Sequence, residues 1–178
     1  AITPDGAGPT ATTDRLVMGP ALTVPYRCNF ATDDQFALWN VIDANNDKYT
    51  WKRETTLAAA YYYYNEDGET GGDDWLVSSP IHLEKDKIYR LKFKLQSYDV
   101  GYPEKVAVHL GTGASVAEQT TLLGDYEIES NTFVEYKVIL PEKLESGNYH
   151  ISFHCHSEPY MFILYVTDVL LEEVSEGV

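Results

Sequence analysis

The sequence predicts an all-β fold, a jelly-roll β-sandwich of two antiparallel sheets, and three observations carry that reading. Residues 132–140 (TFVEYKVIL) and 149–156 (YHISFHCH) alternate with a period of two, as strands with one face in a core do. Short apolar runs, about ten in all, are broken by turn residues at the spacing of a sandwich. Helical 3.6-residue periodicity is scarce.

Taken in order, residues 1–24 (AITPDGAGPTATTDRLVMGPALTV) mix Pro, Gly, Thr and Ala without sustained periodicity, the composition of a leader or interdomain linker. The domain proper is expected over 25–178. Strands are expected at 36–42, 49–54, 57–64, 75–77, 88–98 and 105–110, then at 132–140 and 149–156. After a turn at Ser157-Glu158-Pro159, a long apolar strand closes the domain over 161–172. In 149–156, Tyr149, Ile151, Phe153 and Cys155 share one face, with His150, Ser152, His154 and His156 on the other. Short helical turns are expected only at 32–36 and 114–120.

A chain of 178 residues fits one domain plus a tail, large enough to bury a core without disulfides. Its 44% apolar and 13% aromatic content excludes a disordered acidic chain, and tyrosine (14) far exceeds phenylalanine (6). The formal charge of −15, from 28 carboxylates against 13 Lys and Arg, repels phosphate backbones and anionic lipid, so neither nucleic acid nor a membrane surface is an expected partner. No apolar run approaches the ~20 residues of a membrane span. Cations are the more natural companions. Cys28 and Cys155 lie near the two ends of the domain, either as a disulfide or as two buried thiols. With neither an initiator Met nor a signal-peptide pattern, the chain reads as a piece of a longer protein stripped of its targeting signal.

Residues 36–51 (FALWNVIDANNDKYTW) are similar to the opening of the cleaved-adhesin or choice-of-anchor J domains, found in the haemagglutinin regions of gingipains and in many bacterial surface proteins. Residues 74–83 (DWLVSSPIHL), 87–94 (KIYRLKFK), 108–113 (VHLGTG) and 149–171 resemble later motifs of that family in the same order, so that the resemblance covers about 25–174. It implies a secreted jelly-roll module, outside the cell or on the surface of a bacterium. It further implies neighbouring domains in the parent chain, frequent stabilisation by calcium, binding of glycan or of a host or surface protein, and no catalytic machinery. The chain departs from the pattern where Asn29 replaces an acidic residue, where Asp43-Ala-Asn-Asn-Asp47 lacks a glycine, and where Thr167-Asp168 replaces paired aspartates.

Asp43, Asn45 and Asp47 place hard oxygen donors at every second position of a turn, as the first ligands of an EF-hand do, without the downstream bidentate Glu. Asp73 or Asp74, from the acidic loop 65–74 (NEDGETGGDD), can complete such a calcium site; a solvated turn is the alternative. A second calcium position joins Asn29, Asp33 or Asp34 to Asp168, by resemblance to carbohydrate-binding jelly rolls. His154 and His156, continued by His150, have the one-residue spacing used by zinc enzymes, but no third ligand and no HExxH accompany them, and a solvent-facing row is expected. There is also no G-x-S-x-G and no phosphate-binding glycine loop, so no enzyme is expected. In Tyr61-Tyr62-Tyr63-Tyr64 alternation sends Tyr62 and Tyr64 to one side, as candidate ligand contacts. Tyr98, Tyr102 and Tyr160 occupy loop or strand-end positions, where a binding rim forms. Trp39, Trp51 and Trp75 are expected in the core. The functional expectation is a binding module; the alternatives are a structural domain packed against a neighbour, and last a metal-dependent hydrolase on the histidine row.

Overall fold

A computed structural model of the chain describes residues 20–175, so most of the segment read as a leader or linker lies outside the described residues. The strands are β1 (Tyr26–Cys28), β2 (Trp39–Asp43), β3 (Trp51–Glu54), β4 (Ala59–Tyr63), β5 (Asp74–Ser78), β6 (Ile81–Leu83), β7 (Ile88–Ser97), β8 (Glu104–Gly111), β9 (Thr121–Ile128), β10 (Val134–Ile139), β11 (Gly147–Cys155) and β12 (Ile163–Val174). One short helix, α1 (Asp33–Ala37), and a 3₁₀ turn at Val116–Glu118 fall where helical turns were expected.

The strands form the two antiparallel sheets of a jelly-roll sandwich. One sheet runs β10-β7-β12-β4-β3, with β1 also on β12; the other runs β2-β5-β11-β8-β9, with β6 also on β11. The two long strands β11 and β12 therefore organise the fold in the same way. Each offers one edge to a long neighbour, β8 or β7, and divides its other edge between two short ones. Residue Leu22 adds a parallel bridge to Ile81.

Strand β7 shows why this sequence makes a half-buried strand. Tyr89, Leu91, Phe93, Leu95 and Ser97 are buried, while the residues between them are only partly so. The same parity in β11 sends Ile151, Phe153 and Cys155 inward. Phe93 and Phe153 meet between the sheets edge to face, with ring centres 5.4 Å apart at 73°. Trp39 lies 6.0 Å from Phe153 and Phe30 5.5 Å from Trp39, which extends the aromatic contact along the core. Two of the three buried indoles are satisfied: Trp39 Nε1 donates to the Tyr26 hydroxyl at 3.1 Å and Trp51 Nε1 to the Asp74 carbonyl at 3.0 Å, while Trp75 Nε1 has no partner among the described residues. Cys28 and Cys155 are both buried free thiols, which settles the alternative between disulfide and thiols.

Because Phe153 is fully buried and touches aromatic rings from both sheets, Phe153→Ala is expected to cost about 3–5 kcal/mol in urea unfolding. Ile139→Ala, at a partly exposed position near the end of edge strand β10, is expected to cost about 1 kcal/mol or less. Equal losses at the two sites would contradict the assignment of the core.

Candidate functional site: a tyrosine rim and an acidic loop

Residues 156–162 carry the chain from β11 in one sheet to β12 in the other, and the site is built on that crossing. Ser157 fixes it. Its hydroxyl donates to the buried carboxyl of Glu104 and accepts the Lys105 N–H at 2.9 Å, and its carbonyl accepts the Gly72 N–H at 2.9 Å. Further along, the Phe162 carbonyl accepts the Tyr64 N–H at 3.1 Å. These bonds set Phe162 as a hub, with ring centres of Tyr98 at 4.4 Å, Tyr64 at 5.3 Å, Tyr63 at 5.5 Å and Tyr102 at 6.2 Å. Tyr160 packs on Tyr64 at 6.2 Å. Tyr98, Tyr102 and Tyr160 keep 50%, 43% and 60% of their surface exposed, so the cluster is an open rim of rings.

The structure thus brings together Tyr64, Tyr98, Tyr102 and Tyr160, four of the five tyrosines singled out in the sequence. Tyr62 is a correction. It is 1% exposed and packs against Trp51 in the core, with ring centres 6.4 Å apart, because β4 pairs with β12 in the phase that turns Tyr62 inward. Phe162, the hub, was hidden in the sequence as one more apolar residue of the last strand; its place between Tyr160 and the strand was the available signal.

The acidic loop between β4 and β5 abuts this rim. Gly68 adopts φ +76 under the ring of Tyr160, where a Cβ would lie 2.5 Å from the nearest ring carbon, so only glycine allows that approach. Asp67 folds the loop on itself by accepting the N–H groups of Glu69 and Thr70 at 2.8 and 2.9 Å. On its far side Asn65 Nδ2 donates to Asp47 at 2.9 Å and Asn45 Nδ2 to the Gly71 carbonyl at 3.1 Å. Asn45 therefore braces the loop.

Asp43, Asp47 and Asp74 each place a carboxylate oxygen within 4.8 Å of the others, the sole group of three candidate metal ligands among the described residues. Asp74 is fully buried, and its Oδ1 has no hydrogen-bond partner. Burial pushes its carboxyl up to about 7, with the charges of Asp43 and Asp47 acting in the same direction. Burial likewise pushes Glu104 up to about 7, against the opposing pull of the Ser157 hydroxyl.

Two other expected sites are corrected. At the junction of first and last strands, Asp168 holds the Lys94 ammonium at 2.9 Å, while Asn29 Oδ1 accepts the Ala31 N–H at 3.2 Å. Asp33 pairs with Arg53 at 2.6 Å. Lys94 and Arg53 thus pair with carboxylates read as ligands of a second metal position. Nor is the histidine row solvent-facing throughout: His150 is buried, with Nδ1 2.7 Å from the Ser78 carbonyl, and His154 stacks on Trp75 at 4.0 Å. His154 and His156 each take a separate carboxylate, Asp73 and Asp125, both at 2.7 Å. Trp75 is buried, but on this outer face of the sheet, away from the core that holds Trp39 and Trp51.

No family model matches the sequence, and no curated protein sequence matches it. The fold is similar to that of the K1 cleaved adhesin domain of Lys-gingipain from Porphyromonas gingivalis W83, with a TM-score of 0.68 at 19% identity, over 85% of this chain and 99% of that one. The K3 cleaved adhesin domain of the same protein gives 0.64 at 18% identity, over 83% and 96%. The CBM22-2 xylan-binding domain of Paenibacillus barcinonensis Xyn10C gives 0.55 at 9% identity, over 84% and 99%. At these identities the likeness is one of fold. The chain has an adhesin-type sandwich, an architecture shared with carbohydrate-binding modules, and among its described residues no helix is long and apolar enough to cross a membrane.

The buried carboxyls make stability depend on pH. Asp74 and Glu104 bind protons more tightly folded than unfolded, so their contribution is most favourable in acid and is lost as pH rises through about 7. The Tm of the metal-free protein is expected to fall by several degrees between pH 6.5 and 8.5, and Glu104→Gln to flatten that fall. Identical slopes in the two proteins would contradict a protonated Glu104.

Proposed function

We propose that this chain is a non-catalytic glycan-binding module of a secreted or surface-attached bacterial protein, contacting its ligand through the tyrosine rim. The observation that carries the reading is the exposure of Tyr98, Tyr102 and Tyr160 around the fixed ring of Phe162. Flat rings with polar tips suit the apolar faces and hydroxyls of sugars, and bound rings lose little conformational freedom. A xylan-binding domain and adhesin domains of the same architecture support it, as does the sequence resemblance to cleaved-adhesin and choice-of-anchor J domains. A host or surface protein is the second class of partner compatible with such a rim, and neighbouring domains of a longer chain fit the linker-like start of the sequence. The non-catalytic reading rests on the likeness of the fold to adhesin domains and carbohydrate-binding modules.

Calcium belongs to the same proposal. Asp43, Asp47 and Asp74 offer only hard oxygen donors within 4.8 Å of one another, a set that suits calcium. An ion there joins the turn after β2 to the loop that underlies Tyr160, and so stiffens the rim by binding only the folded state. Because Asp74 must release its proton, calcium affinity rises with pH through about 7.

Two outcomes test the reading. On a glycan array the chain is expected to select a saccharide, and the double variant Tyr98→Ala/Tyr102→Ala to weaken that binding by about tenfold or more at unchanged Tm. Retention of one glycan by an array with full affinity in the double variant, or binding to none, contradicts the rim. At pH 8, excess Ca²⁺ is expected to raise the Tm by several degrees and Asp47→Asn to abolish the rise; no shift in the unaltered chain contradicts calcium.

A further inference from the structure

We infer that the sheet formed by β1, β12, β7 and β10 carries on its outer face a second binding site, for an acidic saccharide. The site is a cavity of about 430 Å³ where the end of β1, the start of α1 and β12 diverge. That volume lies within the range of about 300–1,000 Å³ of small-molecule sites. None of its lining residues belongs to the tyrosine rim, and the inference does not rest on the rim.

The cavity is a product of backbone irregularity. The pairing of β12 with β7 shifts register between Thr167 and Leu170, and Asp168 takes a left-handed conformation with φ 49. A bulge of this kind re-aims side chains and bends the strand away from its neighbour. Phe30, just beyond β1, is also left-handed with φ 52, and the Thr167 hydroxyl, which donates to the Ala58 carbonyl at 2.6 Å, lies 3.1 Å from the Asn29 carbonyl, which brings the two departures side by side. Non-glycine residues held in that region concentrate at functional sites.

The lining runs against the charge of the molecule. In a chain with 13 Lys and Arg against 28 carboxylates, Arg27, Lys92 and Lys94 meet at this one hollow. Register places them together: Arg27 lies opposite Leu170, which lies opposite Lys92, and Lys94 follows on the same face of β7. Lys94 is held by Asp168 at 2.9 Å, and Lys92 makes only a long 3.9 Å pair with Glu135. Arg27 makes no ion pair among the described residues and is exposed. Arg27 therefore lacks an anionic partner among those residues, and Lys92 has only a distant one.

A bare anion does not match the remainder of the lining. Glu135 and Asp168 would repel it, whereas each accepts hydrogen bonds from sugar hydroxyls. Asn29 and Gln35, which also line the cavity, both spend their side-chain oxygens on the Ala31 N–H, at 3.2 and 2.8 Å, which leaves their amide NH₂ groups as the donors they can offer a ligand. A ligand carrying both a carboxylate or sulfate and several hydroxyls matches every polar group. A neutral sugar leaves Arg27 without an anionic partner, and an inorganic anion leaves the carboxylates opposed.

The test is calorimetric titration of the whole chain at low salt with trigalacturonate, a hyaluronan tetrasaccharide and 3′-sialyllactose, beside neutral galactotriose and sodium sulfate. At least one acidic saccharide is expected to bind, with galactotriose and sulfate at least tenfold weaker. Arg27→Gln and Lys92→Gln are each expected to lower its affinity about tenfold, while the Tyr98→Ala/Tyr102→Ala variant binds it unchanged. Both substituted side chains are at least partly exposed, so folding is expected to persist, as circular dichroism would verify. Failure of all three acidic saccharides to bind, equal binding of galactotriose or sulfate, or full affinity in both Gln variants overturns the assignment. Loss of acidic-saccharide binding in the tyrosine variant also overturns it, because the rim would then be the site.

Discussion

The functional end of the molecule depends on a hydrogen bond from Ser157 to the buried carboxyl of Glu104. The chain must leave the central strand of one sheet and enter the central strand of the other, and the backbone of such a crossing needs partners wherever it is removed from water. Ser157 supplies them in three directions: to Glu104 at the start of β8, to the Lys105 amide, and through its carbonyl to Gly72 of the acidic loop. A carboxyl in that position is tolerable because it holds its proton up to about 7, which avoids a buried charge. Tyr160 and Phe162 take their places from this anchor.

The molecule separates its charges by function. Carboxylates accumulate on the β2–β3 turn and the β4–β5 loop, where Asp43, Asp47 and Asp74 crowd together and Asp74 is left with an unpaired oxygen. Lysines and an arginine accumulate on the outer face of the other sheet, where the β12 bulge opens a cavity. The open aromatic surface lies at the crossing between sheets, beside the acidic loop. Burial and the crowding of the three aspartates hold Asp74 protonated up to about 7, and the proposed calcium ion would offset their repulsion at higher pH. The loop beneath Tyr160 and the electrostatics of the aspartate cluster are thereby linked.

Much of the fold was legible because strands with one buried face carry their own signature. Strands β7 and β10 alternate in burial, and β11 alternates in sequence although His150 and Ser152 on its outer face are also buried; the sandwich follows from them. Strand β9 was not legible: it is an edge strand, paired to β8 alone, interrupted by Gly124 and opposite a bulge, so its apolar residues keep no regular phase. The tyrosine run shows the limit most directly. Four identical residues define an alternation but not its phase, and the preceding Ala59 and Ala60 add no contrast. Pairing with β12 decided that Tyr62 turns inward, and Tyr64, beyond the end of β4, escapes the alternation and joins the rim. Contacts between distant segments left no local trace: Lys94 pairs with Asp168, a residue read as a metal ligand, and Trp75 on His154 drew an indole to the outside of its sheet. Loop positions with exposed tyrosines were readable because nothing in their neighbourhood required them for packing.

The proposed role of the rim around Phe162 is to meet the ligand. Its most direct test is a ¹H–¹⁵N correlation spectrum of the chain titrated with the oligosaccharide that a glycan array selects. The account predicts that the perturbed amides gather at residues 98–102 and 158–162. It also predicts that the amides of 65–72 respond to the same titration, since their loop supports Tyr160. Perturbations confined to the outer sheet face around Trp75 and His154, with the rim unmoved, would contradict it.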